Sequence, residues 1–422
     1  MSHTGFRILH TSDWHLGNSL HDRSRQEEYR AFLSWLKETI VTNEVDALLV
    51  SGDIFDTGSP SNAAQELYFS FLTQLNGTCC KNVVITAGNH DSPSTLNVAR
   101  SVLELLHVRV IASPDVENHF ANEVFALPNA ENPQVILCAA PYLRDKALQA
   151  SLENAKAATD EEFVRAGTKA HFEKLKNLAR QLQENVGKSL PIIAMAHLYA
   201  AGSILSENAA DTEYTVVGNL ENVNVEIFPP AFDYVALGHI HRAQKVAGED
   251  RIRYSGSPLP MGFDEANRES VVLLVDFEEN NPPKIRPISV PQFRKMVTIS
   301  GENLNEIRAK IAKANLETPK AFVRVRFTGT GSVGNLRDML SSDFEKTTLE
   351  FVKAEYANRV DGSQTIAADD CDLSEHSPTE IFDRRLREEE KSTKKFDDKM
   401  RARLEGAFQE ILKLVQEGGA QE

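Results

Sequence analysis

Five short segments combine aspartate, asparagine and histidine at spacings that suit metal ligation: Asp13-Trp14-His15, Gly52-Asp53, Gly88-Asn89-His90-Asp91, Ala196-His197 and Gly238-His239-Ile240-His241. Asp13 and His15 stand two residues apart, so an extended backbone projects both to one side, where they can grip one ion. His239 and His241 share that spacing. Mixtures of neutral imidazole and carboxylate suit Mn, Fe or Zn better than Ca or Mg, which prefer all-oxygen shells. The chemistry such a set serves is hydrolysis of a phosphate ester. A phosphodiester is anionic and repels hydroxide, so a catalyst must lower the pKa of water, neutralise charge at phosphorus and stabilise the leaving oxygen. Two divalent ions roughly 3.5–4 Å apart can do all three. Holding them that close calls for an anionic bridge, and Asp53, which follows a glycine at a tight strand-to-loop turn, is the candidate.

Taken singly, most of these segments have an ordinary explanation. A histidine after a strand, such as His197, is usually a satisfied core or surface residue, and Gly-Asp is a common turn. Gly88-Asn89-His90-Asp91 carries more weight, because three polar side chains directly after an apolar strand have no packing rationale. All five in this order exceed coincidence. Each follows a hydrophobic run that reads as a buried strand: Phe6 to His10, Val45 to Val50, Val83 to Ala87, Ile192 to Met195 and Tyr234 to Leu237. The polar residues therefore sit where strands stop, at the sheet edge where loops converge and distant residues can gather around one ion pair.

In this order the motifs resemble the calcineurin-like metallophosphoesterase superfamily, with its D-x-H, G-D, G-N-H-[DE], H and G-H-x-H signature. More closely, the chain is similar to the SbcD-like nuclease subunits of bacterial SbcCD complexes, relatives of the Mre nuclease. The marks are Ile8-Leu9-His10-Thr11-Ser12-Asp13-Trp14-His15-Leu16-Gly17, Ser51-Gly52-Asp53-Ile54-Phe55-Asp56-Thr57-Gly58-Ser59-Pro60, Ala87-Gly88-Asn89-His90-Asp91-Ser92, Ala236-Leu237-Gly238-His239-Ile240-His241-Arg242 and Gly256-Ser257-Pro258-Leu259-Pro260. The resemblance implies one metal held by Asp13, His15, Asp53 and His241, and another by Asp53, Asn89, His197 and His239. It makes His90 the catalytic histidine that stabilises the pentacovalent state or protonates the leaving 3′ oxygen, with Asp91 orienting it. The plainer account of Asp91 is a cap on the helix that starts near Ser94. Asp56 departs from the wider family, whose eukaryotic and archaeal members tend to carry a phosphate-contacting histidine there.

The resemblance also implies a fold, an activity and partners. The fold is an α/β two-sheet sandwich with helices on both faces, joined to a small α+β capping domain and C-terminal helices. The activity is metal-dependent cleavage of DNA by 3′–5′ exonuclease action on duplex ends and endonuclease action on single strands and hairpins, gated by ATP binding in an SbcC-like coiled-coil ATPase. The cofactors are two divalent ions, with Mn2+ expected and Mg2+, Fe2+ or Zn2+ as alternatives. The expected assembly is a homodimer within a heterotetramer. Two other functions compete: a phosphatase or cyclic-nucleotide phosphodiesterase on the same fold, and a catalytically silent scaffold. Protein phosphatases usually carry Glu where Asp91 stands, and scaffolds usually lose ligands, none of which is missing here.

Composition sets outer bounds. With 422 residues, 41% of them hydrophobic, the chain can bury a large core and hold two or more modules. Cys79, Cys80, Cys138 and Cys371 form no Cys-x-x-Cys pair, and no apolar N-terminal segment resembles a signal peptide or membrane span, so a reducing cytoplasm is the expected home. A net charge of −15 argues against a broad basic DNA-binding face, leaving positive charge to the ions and to a partner.

Periodicity supplies the remaining elements. Residues 23–42 carry an apolar helical stripe (Phe32, Leu33, Leu36, Ile40), and residues 94–107 another (Leu96, Val102, Leu103, Leu105, Leu106). Val135 to Ala140 reads as a strand leading to Tyr142 and Arg144, which either line the substrate groove or form an ordinary exposed pair. A long charged helical stretch follows over 145–187. Four divisions result: a nuclease domain over 1–280, an α+β DNA-capping domain over 281–356, a polar linker over 357–376 and a helical segment over 377–422. The capping domain reads as helix 301–316, strand 320–328, helix 333–344 and strand 347–356. The last segment opens on Ser377-Pro378-Thr379-Glu380, a helix-start sequence. Its apolar stripe runs through Phe396, Met400, Leu404, Phe408, Ile411, Leu412 and Val415, and the resemblance assigns it to docking on the ATPase.

Overall fold

The computed structural model describes residues 5–152, 159–200, 225–279, 281–329, 335–357 and Phe408. The chain divides into two compact units, Met1–Asn358 and Arg359–Glu422. The second, which holds the expected partner-docking stripe, lies outside the described residues apart from Phe408.

Two six-stranded sheets face one another in the first unit. The first runs, in spatial order, Lys284–Ser289, Val271–Phe277, Phe6–Thr11, Ala47–Ser51, Asn82–Thr86 and Val108–Ile111. The second runs Gln244–Val246, Glu249–Tyr254, Tyr234–Gly238, Ile192–His197, Val135–Ala139 and Val124–Leu127. The five motif-bearing strands belong to parallel pairings, Phe6–Thr11 with Ala47–Ser51 and Asn82–Thr86, and Ile192–His197 with Tyr234–Gly238. All five are buried along their length, which explains why they read as continuous apolar runs and not as alternating ones.

Ile8, Leu49, Val84, Leu137, Ile193, Met195, Tyr234 and Ala236 fill the space between the sheets. One polar pair crosses it. His10 Nδ1 lies 2.9 Å from the Tyr234 hydroxyl, and burial lowers the His10 pKa to about 3, so the ring is neutral and can accept that proton. On the outer face of the first sheet the helices Gln26–Thr42 and Asn62–Leu75 pack through Phe32, Leu36, Tyr68 and Phe71. On that of the second the helix Asp160–Val186 contributes Phe172, Leu175 and Ala179. This is the expected sandwich with helices on both faces.

Several boundaries differ from the expectation. The 94–107 helix is two short ones, Pro93–Asn97 and Arg100–Leu105, because Ala99 leaves helical geometry between them (φ −103°, ψ 12°). Val102 and Leu105 of its apolar stripe face outward. The 145–187 stretch appears as Asp145–Leu152 and Asp160–Val186. The first sheet continues past residue 280, since Asn280 to Pro283 connects two paired strands and Lys284–Ser289 is the outermost strand of that sheet. Pro287 reads as a breaker but is tolerated there, because an edge strand need not donate every N–H.

Beyond it lies a three-stranded parallel sheet, Met296–Gly301, Phe322–Phe327 and Glu350–Tyr356, covered on one face by the helices Leu304–Glu317 and Leu336–Phe344. The first of these strands was not expected from the sequence. The helices carry ordinary caps, with Asn303 accepting from the Glu306 N–H and Asn335 from the Arg337 N–H.

Phe172 is fully buried and meets Phe228 and Phe232 at ring separations of 4.9 and 6.1 Å, so it anchors the long helix to the second sheet. Phe172→Ala should cost about 3–5 kcal/mol, read as a lower urea midpoint with an unchanged slope. A loss under about 1 kcal/mol, the size of an average substitution, would show that this trio does not hold the helix.

Candidate metal centre

The parallel strands end at a common edge, and the expected residues meet there. Asp13 and His15 follow Phe6–Thr11, Asp53 follows Ala47–Ser51, and Asn89, His90 and Asp91 follow Asn82–Thr86. His197 ends Ile192–His197, while His239 and His241 follow Tyr234–Gly238. The set divides into two groups, each with its ligand atoms within 4.8 Å of one another: Asp13, His15 and His241, and Asp53, His197 and His239. Asn89 belongs with the second, its Oδ1 lying 3.0 Å from both His197 Nε2 and His239 Nδ1. Asp53 Oδ2 stands between the groups, 3.2 Å from His197 Nε2 and 3.7 Å from His15 Nε2. His15 and His241 face each other through their Nε2 atoms at 3.2 Å.

The backbone brings these groups together differently from the extended geometry expected for Asp-x-His. Asp13, His15, Asp53 and His239 all have positive φ (52°, 47°, 51° and 104°), a sparsely populated region for residues with side chains. Tertiary contacts hold them there. The Asp13 N–H donates to the Gly52 carbonyl and the His15 N–H to the Asp53 carbonyl, both at 3.0 Å. Asp13 Oδ1 accepts from the His239 N–H at 2.9 Å. Between Asp13 and His15, the fully buried Trp14 points into the helix layer, edge-on to Phe32 and Phe71, and so anchors the loop. The motif glycines leave room for close approach. A Cβ on Gly88 would stand 2.1 Å from Asp53 Oδ1, and one on Gly238 1.8 Å from the Ser51 carbonyl oxygen.

Electrostatics follow from this crowding. Burial opposes ionisation of Asp53, but the neighbouring imidazoles, His197 first and then His15 and His90, hold its carboxyl far below the usual range. Burial likewise opposes protonation of His197, yet the Asp53 carboxylate raises its pKa to about 9. His239 is lowered to about 3 by burial and by the charge on His197. One carboxylate is thus shared by several nitrogen donors, and cationic charge is favoured at this spot. The mixed nitrogen and oxygen donor set fits a first-row divalent ion.

His90 and Asp91 take different positions from those expected of a pair. His90 Nδ1 meets the Asp56 carbonyl at 2.9 Å, and its N–H donates to Asp53 Oδ1 at 3.0 Å. Asp91 instead turns its buried carboxylate into the backbone, accepting from the N–H groups of Ile54, Phe55 and Gly88 at 2.8–3.2 Å. Burial and the Asp53 charge, against those hydrogen bonds, raise its pKa to about 6. Nor does Asp91 cap the following helix, since Ser92 is the N-cap. Asp91 therefore ties together the two loops that carry Asp53 and His90.

Other neighbours were not expected from the sequence. Asp56 Oδ1 lies 3.4 Å from His15 Nδ1, Glu265 Oε1 lies 3.8 Å from His241 Nδ1, and the Ser51 carbonyl meets His197 Nδ1 at 2.9 Å. The available signal for Glu265 was an acidic pair, Asp264-Glu265, shortly after Gly256-Ser257-Pro258. The Tyr142 ring sits edge-on 6.3 Å from His197, whereas Arg144 is exposed. Asn89, His90, His239 and His241 are half-buried and the other ligand candidates buried, so the cluster is open on their side.

Gly88→Ala should leave the fold intact but displace the Asp53 carboxylate, and the purified protein should then carry little divalent metal when measured by plasma mass spectrometry. Normal metal content would mean that Gly88 serves only the turn.

The calcineurin-like phosphoesterase family matches residues 6–243, and a family described as the type 5 capsule protein repressor C-terminal domain matches residues 292–390. The SbcD subunit of the SbcCD nuclease from Escherichia coli strain K12 is 34% identical over 409 residues, covering 95% of this chain and 96% of that protein. Its counterpart in Rhodobacter capsulatus is 32% identical over 395 residues (89% and 93%), and that in Bacillus subtilis 32% over 279 residues (64% and 66%). Clustered acid and imidazole donors at the ends of parallel strands agree with these likenesses in kind and in position, and the chain belongs to the SbcD nuclease subunits within the calcineurin-like phosphoesterases, as a metal-dependent hydrolase of phosphodiester bonds.

Proposed function

We propose that this cluster is a two-ion centre that cleaves DNA. One ion falls to Asp13, His15, Asp53 and His241, the other to Asp53, Asn89, His197 and His239. The observation that carries this reading is the place of Asp53 Oδ2, within 3.7 Å of imidazole nitrogens from both groups. The ions, with Mn2+ the expected species, would supply the charge that acidifies an attacking water and neutralises the phosphate. His90, with Nδ1 directed to the Asp56 carbonyl, presents Nε2 to the substrate, where it stabilises the pentacovalent state or, when the ring carries both protons, protonates the leaving 3′ oxygen. Asp91 acts at one remove, by holding the His90 and Asp53 loops in register.

The expected substrates are duplex ends, hairpins and single strands, and the three-stranded module acts as the capping domain. Its sheet face opposite the helices carries the exposed Arg326, in keeping with a role beside a phosphate backbone. The SbcCD name of the relatives supports an SbcC-like ATPase as partner. Docking on residues 377–422 and a cytoplasmic setting remain what the sequence resemblance and composition imply. Among the described residues no helix is long and apolar enough to cross a membrane.

The experiment is cleavage of hairpin and duplex DNA, against bis-p-nitrophenyl phosphate, in Mn2+. Asp53→Asn should weaken both ions, and His90→Gln should keep both ions while lowering cleavage by about 10²–10⁴-fold. Loss of one ion alone in the first variant, or wild-type turnover in the second, contradicts the assigned roles. Efficient hydrolysis of the small diester with inert DNA would favour the phosphatase or cyclic-nucleotide phosphodiesterase reading.

The homodimer has its own support. Val102 and Leu105 on the helix Arg100–Leu105, with Val98 just before it, are 60%, 81% and 83% exposed and together form an apolar patch that a second copy could cover. Val102→Glu should shift the mass measured by light scattering from dimer to monomer. A monomeric wild type, or an unchanged dimeric variant, removes this face from the interface.

A further inference from the structure

Three of the ligand imidazoles have an outer contact at Nδ1, and that of His241 differs in origin. His15 Nδ1 is met by Asp56, and His197 Nδ1 by the Ser51 carbonyl, from the loop that carries Asp53 and the strand that leads into it. Glu265, which faces His241 Nδ1, belongs to the turn Phe263–Glu265, and that turn is gripped by the α+β module.

The grip is detailed. Asp264 Oδ1 lies 3.2 Å from Arg324 Nη2, and the Arg324 guanidinium stands over the Phe263 ring at 5.1 Å. Phe263 packs in a small apolar cluster with Met296, Phe322 and Val352, one residue from each strand of the three-stranded sheet, and with Leu20. Gln292 Nε2 donates to the Ala266 carbonyl at 3.2 Å. Two residues of the turn therefore bind the module while the next faces the metal centre. Glu265 is itself held, with Oε2 accepting from the Met261 N–H at 2.8 Å and Oε1 3.0 Å from Arg268 Nη1.

We propose that Glu265 is a positioning residue for His241, and that the Phe263–Glu265 turn makes the seating of the α+β module a condition on that histidine and on the ion it holds. The inference rests on the two-ion reading above. A carboxylate behind a ligand imidazole accepts a hydrogen bond from Nδ1–H, keeps the proton on that nitrogen so that Nε2 is the donor atom, and fixes the ring plane. Here Nε2 is the atom that faces His15. A shift of the module would pass through Arg324 and Asp264 to Glu265, and would be felt at one ion of the pair.

The test is calorimetric titration of the full chain with Mn2+, with thermal denaturation as a check on folding. Wild type should take two ions. Glu265→Gln should weaken one of them by about 10–100-fold and leave the other within about twofold. Arg324→Met should weaken the same ion, by about 3–10-fold, and add little in the double variant, because both act through one residue. Unchanged affinities in Glu265→Gln, or equal loss of both ions, overturn the positioning role. Unchanged affinities in Arg324→Met overturn the link to the module. Should Glu265→Gln fail to fold, Arg324→Met decides alone. A wild type that takes fewer than two ions fails earlier and differently, since the two-ion reading then falls with everything built on it.

Discussion

A carboxylate buried among imidazoles is the constraint that the rest of this molecule satisfies. Asp53 is 2% exposed, and an ionised carboxylate so placed is costly unless charge and hydrogen bonds surround it. His197, His15 and the His90 N–H do so, and each comes from a different strand end. Bringing them that close demands glycine at 88 and 238, left-handed backbone at Asp13, His15, Asp53 and His239, and a second buried carboxylate, Asp91, to hold the loops. The strained backbone persists because the surrounding hydrogen bonds over-determine it.

The cluster also lies across the seam of the sandwich. Asp13, His15, Asp53 and Asn89 follow strands of the first sheet, and His197, His239 and His241 belong to the second. Neither sheet carries a complete donor set. The apolar layer between them, with the His10–Tyr234 pair inside it, therefore sets the distance between the two halves of the centre. The helices on the outer faces have no part in ligation, but Trp14 shows how they reach it, since its ring among Phe32 and Phe71 fixes the loop between two ligand candidates.

Net charge and site charge point in opposite directions. A chain of −15 repels nucleic acid on average, yet the donor set at the strand ends favours divalent ions. Attraction for an anionic substrate is thus concentrated at the strand ends, where half-buried Asn89, His90, His239 and His241 leave the cluster open. The three-stranded module is tied to this edge through Asp264 and Arg324.

Much of this was legible in the sequence. Apolar runs ending in Asp, Asn and His located the strands and the donor residues, because burial forces hydrophobic composition and ligation restricts side-chain type, and both are local properties. The alternation of such runs with amphipathic helices pointed to the two-sheet sandwich. What the sequence left open depended on which surfaces meet. Pro287 looked like a domain boundary until its strand proved to be an edge, and Met296–Gly301 went unseen as a strand. The resemblance made Asp91 the residue that orients His90, but adjacent residues point in different directions, and its carboxylate meets three backbone N–H groups instead. Asp56 and Glu265 acquire their places beside His15 and His241 only when loops 41 and 24 residues away in the chain are folded against them. Donor identity is written residue by residue. The outer contacts that aim each donor arise from long-range packing, and only the tertiary structure decides those.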